Sequence, residues 1–238
     1  ATTMQKAKKF KGVIKQKVGL DYLLYLPKGY KKGSEKKLPL IMFLHGMGER
    51  GDDLELVKKH GPAKLVENRD LEFIVVSPQC PPDSFWPAET AVLNALIDEI
   101  VDKHDVDVNR IYLTGLSMGG YGTWHLAVEY PERFAAIAPV CGGAMFYANL
   151  ADKIGVLKDV PVWAFHGARD RTVDLAESAD LVHTLEQAGG KVKFTIYPSA
   201  EHDSWSATYS NLKLYKWFLR HSKAGKKSKK SDDDQGEA

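Results

Sequence analysis

A serine set between glycines is the feature of this sequence with the clearest chemistry. Residues 115–120 read Gly-Leu-Ser-Met-Gly-Gly and place the pattern G-x-S-x-G around Ser117. The apolar run Arg110–Thr114 precedes this pattern, and a helical pattern follows it. Glycines at a strand-to-helix turn permit a strained backbone that lifts the serine hydroxyl above the sheet. We therefore expect Ser117 to be a nucleophile, with a helix-capping serine as the alternative.

A serine hydroxyl becomes nucleophilic when a histidine takes its proton. His202 lies in the loop after the last β-rich run, at the end of the sheet where ligands bind. His166 also ends a β-rich run, but Gly167 follows it and every late acid comes after it. The other histidines after Ser117 lie within or at the end of helical patterns: His125, His183 and His221. We predict that His202 is the general base.

The acid that orients this base should leave a strand end between the serine and the histidine. The run Val160–Phe165 leads into such a segment, and Asp170 is its best-placed acid. Asp174 is the competitor, but its position suits the first turn of the next helix, where its negative charge interacts favourably with the helix dipole. Asp203 adjoins the histidine and should face another direction. The order Ser, Asp, His along the chain is typical of one fold among the serine hydrolases.

Negative charge that develops on a substrate oxygen requires backbone N–H donors. One donor should be the N–H of Met118, directly after the nucleophile. The other should come from the glycine-rich loop His45–Gly51, which follows the run Leu38–Leu44. We predict Met47 as this second donor. Glu49 and Arg50 should brace the loop through an ion pair, with substrate contact as the alternative.

The elements that must position these residues alternate between β-rich runs and helical patterns, which favours an α/β sandwich with a mostly parallel sheet. Apolar residues recur at helical spacing over 91–104, 172–188 and 204–220, and Gly189-Gly190 should end the second of these helices. The first two β-rich runs should form an antiparallel hairpin around Gly19. We expect about eight strands: Val13–Lys17, Tyr22–Leu26, Leu38–Leu44, Glu72–Ser77, Arg110–Thr114, Phe134–Val140, Val160–Phe165 and Val192–Tyr197.

These motifs resemble those of the α/β-hydrolase superfamily over about residues 12–220. Within it, the chain resembles the esterases without a cap domain that are grouped as phospholipase/carboxylesterase-like, predicted-peptidase-like and polyhydroxybutyrate-depolymerase-like. The similarity lies in GMGERG at 46–51, SMGGYGTW at 117–124 and HDSW at 202–205. It implies an α/β-hydrolase fold and hydrolysis of carboxylic esters through an acyl-enzyme, without a cofactor or metal. Substrates in these groups include aryl esters, short acyl chains, polyesters, and feruloyl or acetyl groups on plant polysaccharide.

The resemblance also locates the lid of the family between the runs Phe134–Val140 and Val160–Phe165. The roughly 19 residues available there are too few for a lid domain, so we expect an open site that admits bulky or polymer-attached esters. Trp86, Trp205, His45 and Glu49 are the predicted substrate-binding residues. Phe85 and Phe146-Tyr147 are further aromatic residues that we place near the rim, with core packing as the alternative.

A serine peptidase or an acyltransferase would use the same three residues and remains the main alternative. Dienelactone-type hydrolysis usually employs a cysteine nucleophile, whereas this chain has Ser117. A binding protein that reuses the fold should lack one member of the predicted triad. We therefore expect a serine carboxylesterase for short-chain or aryl esters, feruloyl or acetyl esters on polysaccharide included.

Composition sets outer limits on partners and organisation. The chain has 238 residues, a net charge of +2, 44% apolar residues and no apolar run long enough to span a membrane. Residues 1–37 carry eleven lysines and two acids, yet stacking aromatics are not interleaved with them, so we expect no nucleic-acid partner. We divide the chain into a basic segment (1–11), a hydrolase domain (12–221) and a disordered charged tail (222–238).

The state of the cysteines, the compartment and the oligomeric state are three further expectations. Cys80 and Cys141 are the only cysteines; we favour two buried thiols over a disulfide. If Ala1 is a processed N-terminus, we expect a secreted or periplasmic protein. Otherwise we expect a cytoplasmic one. We expect a monomer or a homodimer that acts on a small or polymer-attached ester.

Overall fold

The computed structural model describes residues 7–13, 15–145 and 149–223. The described residues form one sheet of seven strands, one fewer than the approximate number predicted. The strands are β1 (Tyr22–Tyr25), β2 (Leu38–Leu44), β3 (Ile74–Pro78), β4 (Val106–Leu116), β5 (Ala136–Val140), β6 (Val162–Gly167) and β7 (Val192–Tyr197).

Helices lie in every connection between consecutive strands from β2 onward in the described part of the chain. The α-helices are α1 (Gly61–Leu65), α2 (Thr90–Lys103), α3 (Met118–Glu129), α4 (Leu150–Lys153), α5 (Leu175–Gln187), α6 (Trp205–Ser210) and α7 (Leu212–Leu219). Short 3-10 helices span Met47–Glu49, Leu54–Lys59, Trp86–Ala88, Pro131–Arg133 and Ile154–Leu157.

The strand order is β1-β3-β2-β4-β5-β6-β7, and every neighbouring pair is parallel except β1 with β3. The predicted N-terminal hairpin does not form. The described residues of 13–17 are exposed and belong to no strand, and β1 instead pairs antiparallel with β3 from Tyr22 opposite Pro78 to Tyr25 opposite Val75. A distant strand with a continuous apolar run thus replaces the lysine-rich neighbour as the partner.

Alternate residues of each strand point to opposite sides of the sheet, so both faces carry apolar side chains. Helices cover both faces. In β2, Leu40 and Met42 pack with α2, α3 and α5, whereas Ile41 and Phe43 pack with α1, α6 and α7. Both layers are fully buried along this strand. The predicted α/β architecture with a mostly parallel sheet is therefore confirmed.

Two of the predicted helices, over 172–188 and 204–220, form in different ways. The pattern over 172–188 becomes α5, and Gly189 follows it with φ of 83°, as expected for a glycine that ends a helix. The pattern over 204–220 becomes two helices rather than one. Asn211 separates them with extended backbone, and its side chain accepts a hydrogen bond from the N–H of Lys213 at the start of α7.

Residues 141–161, between β5 and β6, hold only α4 and a 3-10 helix among the described residues, so no large lid domain lies there. The predicted rim residues Phe146 and Tyr147 lie outside the described residues, as does the predicted tail from residue 224 onward. None of the described helices is both long and apolar enough to cross a membrane.

Candidate active site

The turn from β4 into α3 holds Ser117 in an unusual backbone conformation. Its φ is 52° and its ψ is −117°, a backbone conformation that residues other than glycine rarely adopt. Glycines make the turn possible. A Cβ on Gly115 would lie 2.3 Å from the carbonyl oxygen of Gly119, and one on Gly119 would lie 1.9 Å from that of Leu44. Ser117 therefore lies between the carboxyl end of β4 and the N-terminus of α3.

The loop after β7 brings a histidine to this serine. The Ser117 hydroxyl lies 2.9 Å from Nε2 of His202, and Nδ1 of His202 lies 2.7 Å from Oδ2 of Asp170. When Nδ1–H donates to the carboxylate, Nε2 is free to accept the serine proton. The structure thus brings together the three side chains that the sequence predicts, in a chain of two hydrogen bonds.

The side chain of Asp170 is fully buried and is held by its own turn. Its Oδ1 accepts hydrogen bonds from the N–H groups of Thr172 and Val173, each 2.9 Å long. Burial raises the pKa of this carboxyl, but the hydrogen bonds from His202, Val173 and Thr172 outweigh that effect, and the pKa lies below its ordinary value. The carboxylate therefore stays charged and aimed at the imidazole.

A second histidine touches the same carboxylate and was not assigned a role from the sequence. Nε2 of His166 lies 3.3 Å from Oδ2 of Asp170 and donates to the carbonyl oxygen of Val173 at 2.9 Å. Its Nδ1 lies 2.8 Å from the Ser178 hydroxyl, which donates to the carbonyl oxygen of Gly142. His166 is fully buried. It ties the Asp170 turn to α5 and to the end of β5.

The two competing acids, Asp174 and Asp203, accept hydrogen bonds at the starts of helices. Asp174 caps α5, with its carboxylate accepting from the N–H of Ala176 at 2.9 Å. Asp203 accepts hydrogen bonds from the N–H and hydroxyl of Ser206 in the first turn of α6. Neither carboxylate is bonded to His202.

Both predicted oxyanion donors lie at the start of a helix beside the serine. Met118 is the first residue of α3, and Met47 is the first residue of the 3-10 helix after β2. The first N–H groups of a helix have no partner within that helix, which leaves them available to a substrate oxygen. Both residues line the same cavity as Ser117 and His202.

Two predicted substrate-binding residues lie behind the site rather than in it. Trp86 is fully buried, and its indole N–H donates to the carbonyl oxygen of His45 at 2.9 Å. His45 is buried as well: Nδ1–H donates to the carbonyl oxygen of Gly46, and Nε2 accepts from the N–H of Cys80. Burial lowers the pKa of His45 to about 4, so the ring is neutral near pH 7. Both side chains support the loop and neither lines the cavity that contains Ser117, which corrects the prediction.

The other two predicted substrate-binding residues do line the cavity, which has a volume of about 370 Å³. Glu49 is largely buried, with Oε1 3.8 Å from Nε2 of His60. The ring of Trp205 lies edge-on to His202 at 5.2 Å and to His60 at 5.5 Å. His60 is a lining residue that no sequence motif indicated.

Arg50 braces the loop, though not through the predicted ion pair with Glu49. Its guanidinium donates to the carbonyl oxygens of Met47 and Ser84. Cys80 and Cys141 are both buried free thiols, as favoured from the sequence, and burial raises the pKa of each to about 12.

Comparison with known families places this geometry in context. The sequence profile described as phospholipase/carboxylesterase matches residues 76–216, more than half of the chain. The chain belongs to this family. A solved structure described as a thermostable esterase is 36% identical, with a TM-score of 0.73 over 84% of this chain and 59% of that one. The α/β-hydrolase fold expected from the sequence is thus confirmed.

Curated relatives of this phospholipase/carboxylesterase family member are larger proteins. A bifunctional acetylxylan esterase/xylanase of Neocallimastix patriciarum is 28% identical in an alignment of 214 positions that covers 85% of this chain and 28% of that protein. A poly(3-hydroxyoctanoate) depolymerase of Pseudomonas fluorescens is 29% identical over 182 residues, covering 66% of this chain and 63% of that protein. The chain therefore spans less than two thirds of these relatives.

Proposed function

We propose that the protein is a serine carboxylesterase in which Ser117, His202 and Asp170 form the catalytic triad. The observation that carries the proposal is the pair of hydrogen bonds from Ser117 Oγ to His202 Nε2 (2.9 Å) and from His202 Nδ1 to Asp170 Oδ2 (2.7 Å). A nucleophile, a base and an orienting acid in this geometry suit acyl transfer. Membership of the phospholipase/carboxylesterase family supports the same reaction.

The proposed reaction begins when Nε2 of His202 takes the hydroxyl proton and Ser117 Oγ attacks the ester carbonyl carbon. The N–H groups of Met47 and Met118 then donate to the oxyanion of the tetrahedral intermediate. Protonated His202 gives its proton to the leaving alcohol as the C–O bond breaks. Asp170 stabilises the imidazolium and holds its tautomer.

Water completes the reaction. His202 takes a proton from the water molecule, which attacks the acyl-enzyme, and the same proton returns to Ser117 as the carboxylic acid leaves. These steps call on no metal or cofactor. The positive end of the α3 dipole at Ser117 adds to the stabilisation of the oxyanion.

The site suits short or aromatic acyl groups on alcohols that are themselves bulky. The cavity of about 370 Å³ is lined by apolar side chains of which Met118, Tyr121, Met145 and Val173 are examples, and no large lid closes over it within the described residues. Acetyl or feruloyl groups on polysaccharide fit this description. Similarity to an acetylxylan esterase/xylanase supports such a polymer-attached substrate.

The test is a hydrolysis panel that compares the wild-type protein with Ser117→Ala. It spans nitrophenyl esters from acetyl to long acyl chains, methyl ferulate, acetylated xylan and a peptide amide. We expect cleavage of the short and aromatic esters and a loss of about 10³-fold or more in the folded variant. Unchanged turnover in the variant would contradict the assignment of Ser117. Cleavage of the amide in preference to every ester would favour a peptidase.

We expect a monomer or homodimer by light scattering.

A further inference from the structure

A second cavity adjoins the candidate active site. It has a volume of about 450 Å³ and shares His60 and Trp205 with the cavity that holds Ser117. Its outer part is lined by residues of α1 and of the segment that follows it, among them Lys64 and Arg69. We call this cavity the outer groove. It continues the active site past the ring of Trp205.

The chemistry of the proposed reaction decides which half of an ester reaches the outer groove. The leaving alcohol takes its proton from Nε2 of His202, so it must depart on the side of the imidazole. The ring of Trp205 lies edge-on to that imidazole, with 5.2 Å between ring centroids, and also lines the outer groove. The alcohol half therefore extends toward the outer groove, and the acyl half occupies the cavity beside Met118 and Tyr121.

The two cavities differ in charge. Among the described residues, the active-site cavity is lined by one carboxylate, Glu49, and by no lysine or arginine. The outer groove is lined by Lys64 and Arg69 and by no acidic residue. Neither cation forms an ion pair within the part of the chain that the structure describes.

Three acids close to the groove in sequence contact other residues. Asp70, which follows Arg69, accepts hydrogen bonds from the Tyr25 hydroxyl and the N–H of Lys28. Glu67, which precedes the groove residue Asn68, points to Lys58, with 3.8 Å between the charged atoms. Asp203 accepts two hydrogen bonds from Ser206. Among the described residues, the groove thus carries two cations and the active-site cavity carries none, and this asymmetry fits a substrate that carries its negative charge on the alcohol half.

We propose that the outer groove binds an alcohol that bears a carboxylate, specifically a sugar acid whose hydroxyl carries the ester. The inference rests on the proposed esterase function and deepens it. Arg69 and Lys64 supply the charges that recognise the carboxylate. The aromatic ring of Trp205 supplies a flat apolar surface for the sugar ring beside the scissile bond.

The test uses two esters that differ in one group: monoacetylated methyl glucuronoside and monoacetylated methyl glucoside. The wild-type protein should show a lower KM for the glucuronoside, and added sodium chloride should remove the difference because exposed charges are screened. The double variant Lys64→Gln/Arg69→Gln should raise the KM for the glucuronoside about five-fold at unchanged kcat, as expected for two exposed charges. Its KM for the glucoside should not change. Lys216→Gln/Arg220→Gln, with the same loss of charge at exposed positions of α7 and its end, is the matched control.

The outcomes separate this inference from the proposed function. Equal KM values for the two esters, or an equal effect of both double variants, would overturn the inference. The esterase function would still stand if the wild-type protein hydrolysed 4-nitrophenyl acetate and Ser117→Ala did not. If the wild-type protein showed no Ser117-dependent hydrolysis of 4-nitrophenyl acetate, the proposed function itself would be overturned. Calorimetric binding of methyl glucuronoside to Ser117→Ala decides the inference even without turnover, since the Lys64/Arg69 variant should weaken that binding and the control should not.

Discussion

The backbone at Ser117 stores strain that a substitution can release. With φ of 52° and ψ of −117°, this serine occupies a region in which a Cβ is crowded. Conformations of this kind cost about 1–3 kcal/mol in residues other than glycine. Glycine adopts them without that cost, but it loses more freedom on folding, about 0.5–1 kcal/mol relative to alanine. Ser117→Gly should therefore remove strain and add a smaller entropic cost.

Ser117→Ala is the matched variant because it keeps the Cβ. Both variants lose the hydrogen bond between the serine hydroxyl and His202, so this loss cancels when they are compared. Subtracting an entropic cost of about 0.5–1 kcal/mol from a strain of about 1–3 kcal/mol makes the glycine variant more stable than the alanine variant by about 0–2.5 kcal/mol, with about 1 kcal/mol near the middle of that range. For a protein of this size, each kcal/mol corresponds to roughly 2–4 °C in Tm.

Urea unfolding of both variants at pH 7 gives the comparison directly, provided that the dependence of the unfolding free energy on urea is the same in both. Neither variant should hydrolyse 4-nitrophenyl acetate above the residual rate expected without a nucleophile. If Ser117→Gly were instead less stable than Ser117→Ala by about 0.5–1 kcal/mol, only the entropic cost of glycine would be present. The backbone at the turn would then carry no strain.

Three other perturbations have expected outcomes. Gly119→Ala should lower the free energy of unfolding by about 3 kcal/mol or more, because its Cβ would meet a β2 carbonyl oxygen at 1.9 Å; Gly19→Ala, which meets nothing within 4 Å, is the control, and equal unfolding midpoints would contradict this. Asp170→Asn should reduce kcat about 10⁴-fold with the fold intact by circular dichroism, because the amide favours the wrong imidazole tautomer; a loss below about tenfold would argue against its role. Burial lowers the pKa of His45 and of His125 to about 4 from 6.5. Their contribution to stability is therefore complete above pH 6.5 and is lost toward pH 4, with about 2 kcal/mol lost for each histidine by pH 5. Urea unfolding at pH 7 and at pH 5 checks this. An unfolding free energy that does not change with pH, or a pH dependence that His125→Gln leaves unchanged, would refute it.

Much of the sheet could be predicted from the sequence because parallel strands buried on both faces are continuously apolar. The apolar run Leu38–Leu44 is such a strand and coincides with β2. The run Val192–Tyr197 coincides with β7 as well, but it contains polar residues and is only partly buried, because β7 lies at the edge of the sheet. The N-terminal hairpin was wrong because its first strand has Lys15, Gln16 and Lys17 in sequence and little apolar surface to bury. The actual partner of β1 lies about 50 residues away in β3, and no local pattern reports such a pairing.

The positions of Ser117, Asp170 and His202 followed from one topological rule, since all three leave the carboxyl ends of parallel strands. His166 also ends such a strand, yet its contact with Asp170 arises because the turn after β6 folds the carboxylate back over the imidazole. Sequence order gave no sign of that return. The segment around His60 likewise reaches the site through tertiary packing, in which α1 contacts α6 and the ring of His60 contacts that of Trp205.

The residues wrongly placed against the substrate show how the site is built. Trp86 and His45 are aromatic and near the reactive loop, which is the pattern expected of a binding residue, but the chemistry proposed for that loop is carried by main-chain N–H groups. Main-chain donors work only if the backbone is fixed, so buried side chains must fix it. Trp86 bonds the carbonyl oxygen of His45, and Gln79 bonds that of Glu49 at 2.8 Å, which anchors both ends of the loop that carries Met47. A buried polar side chain beside a proposed oxyanion donor is thus better interpreted as a support for the backbone than as a contact for the ligand.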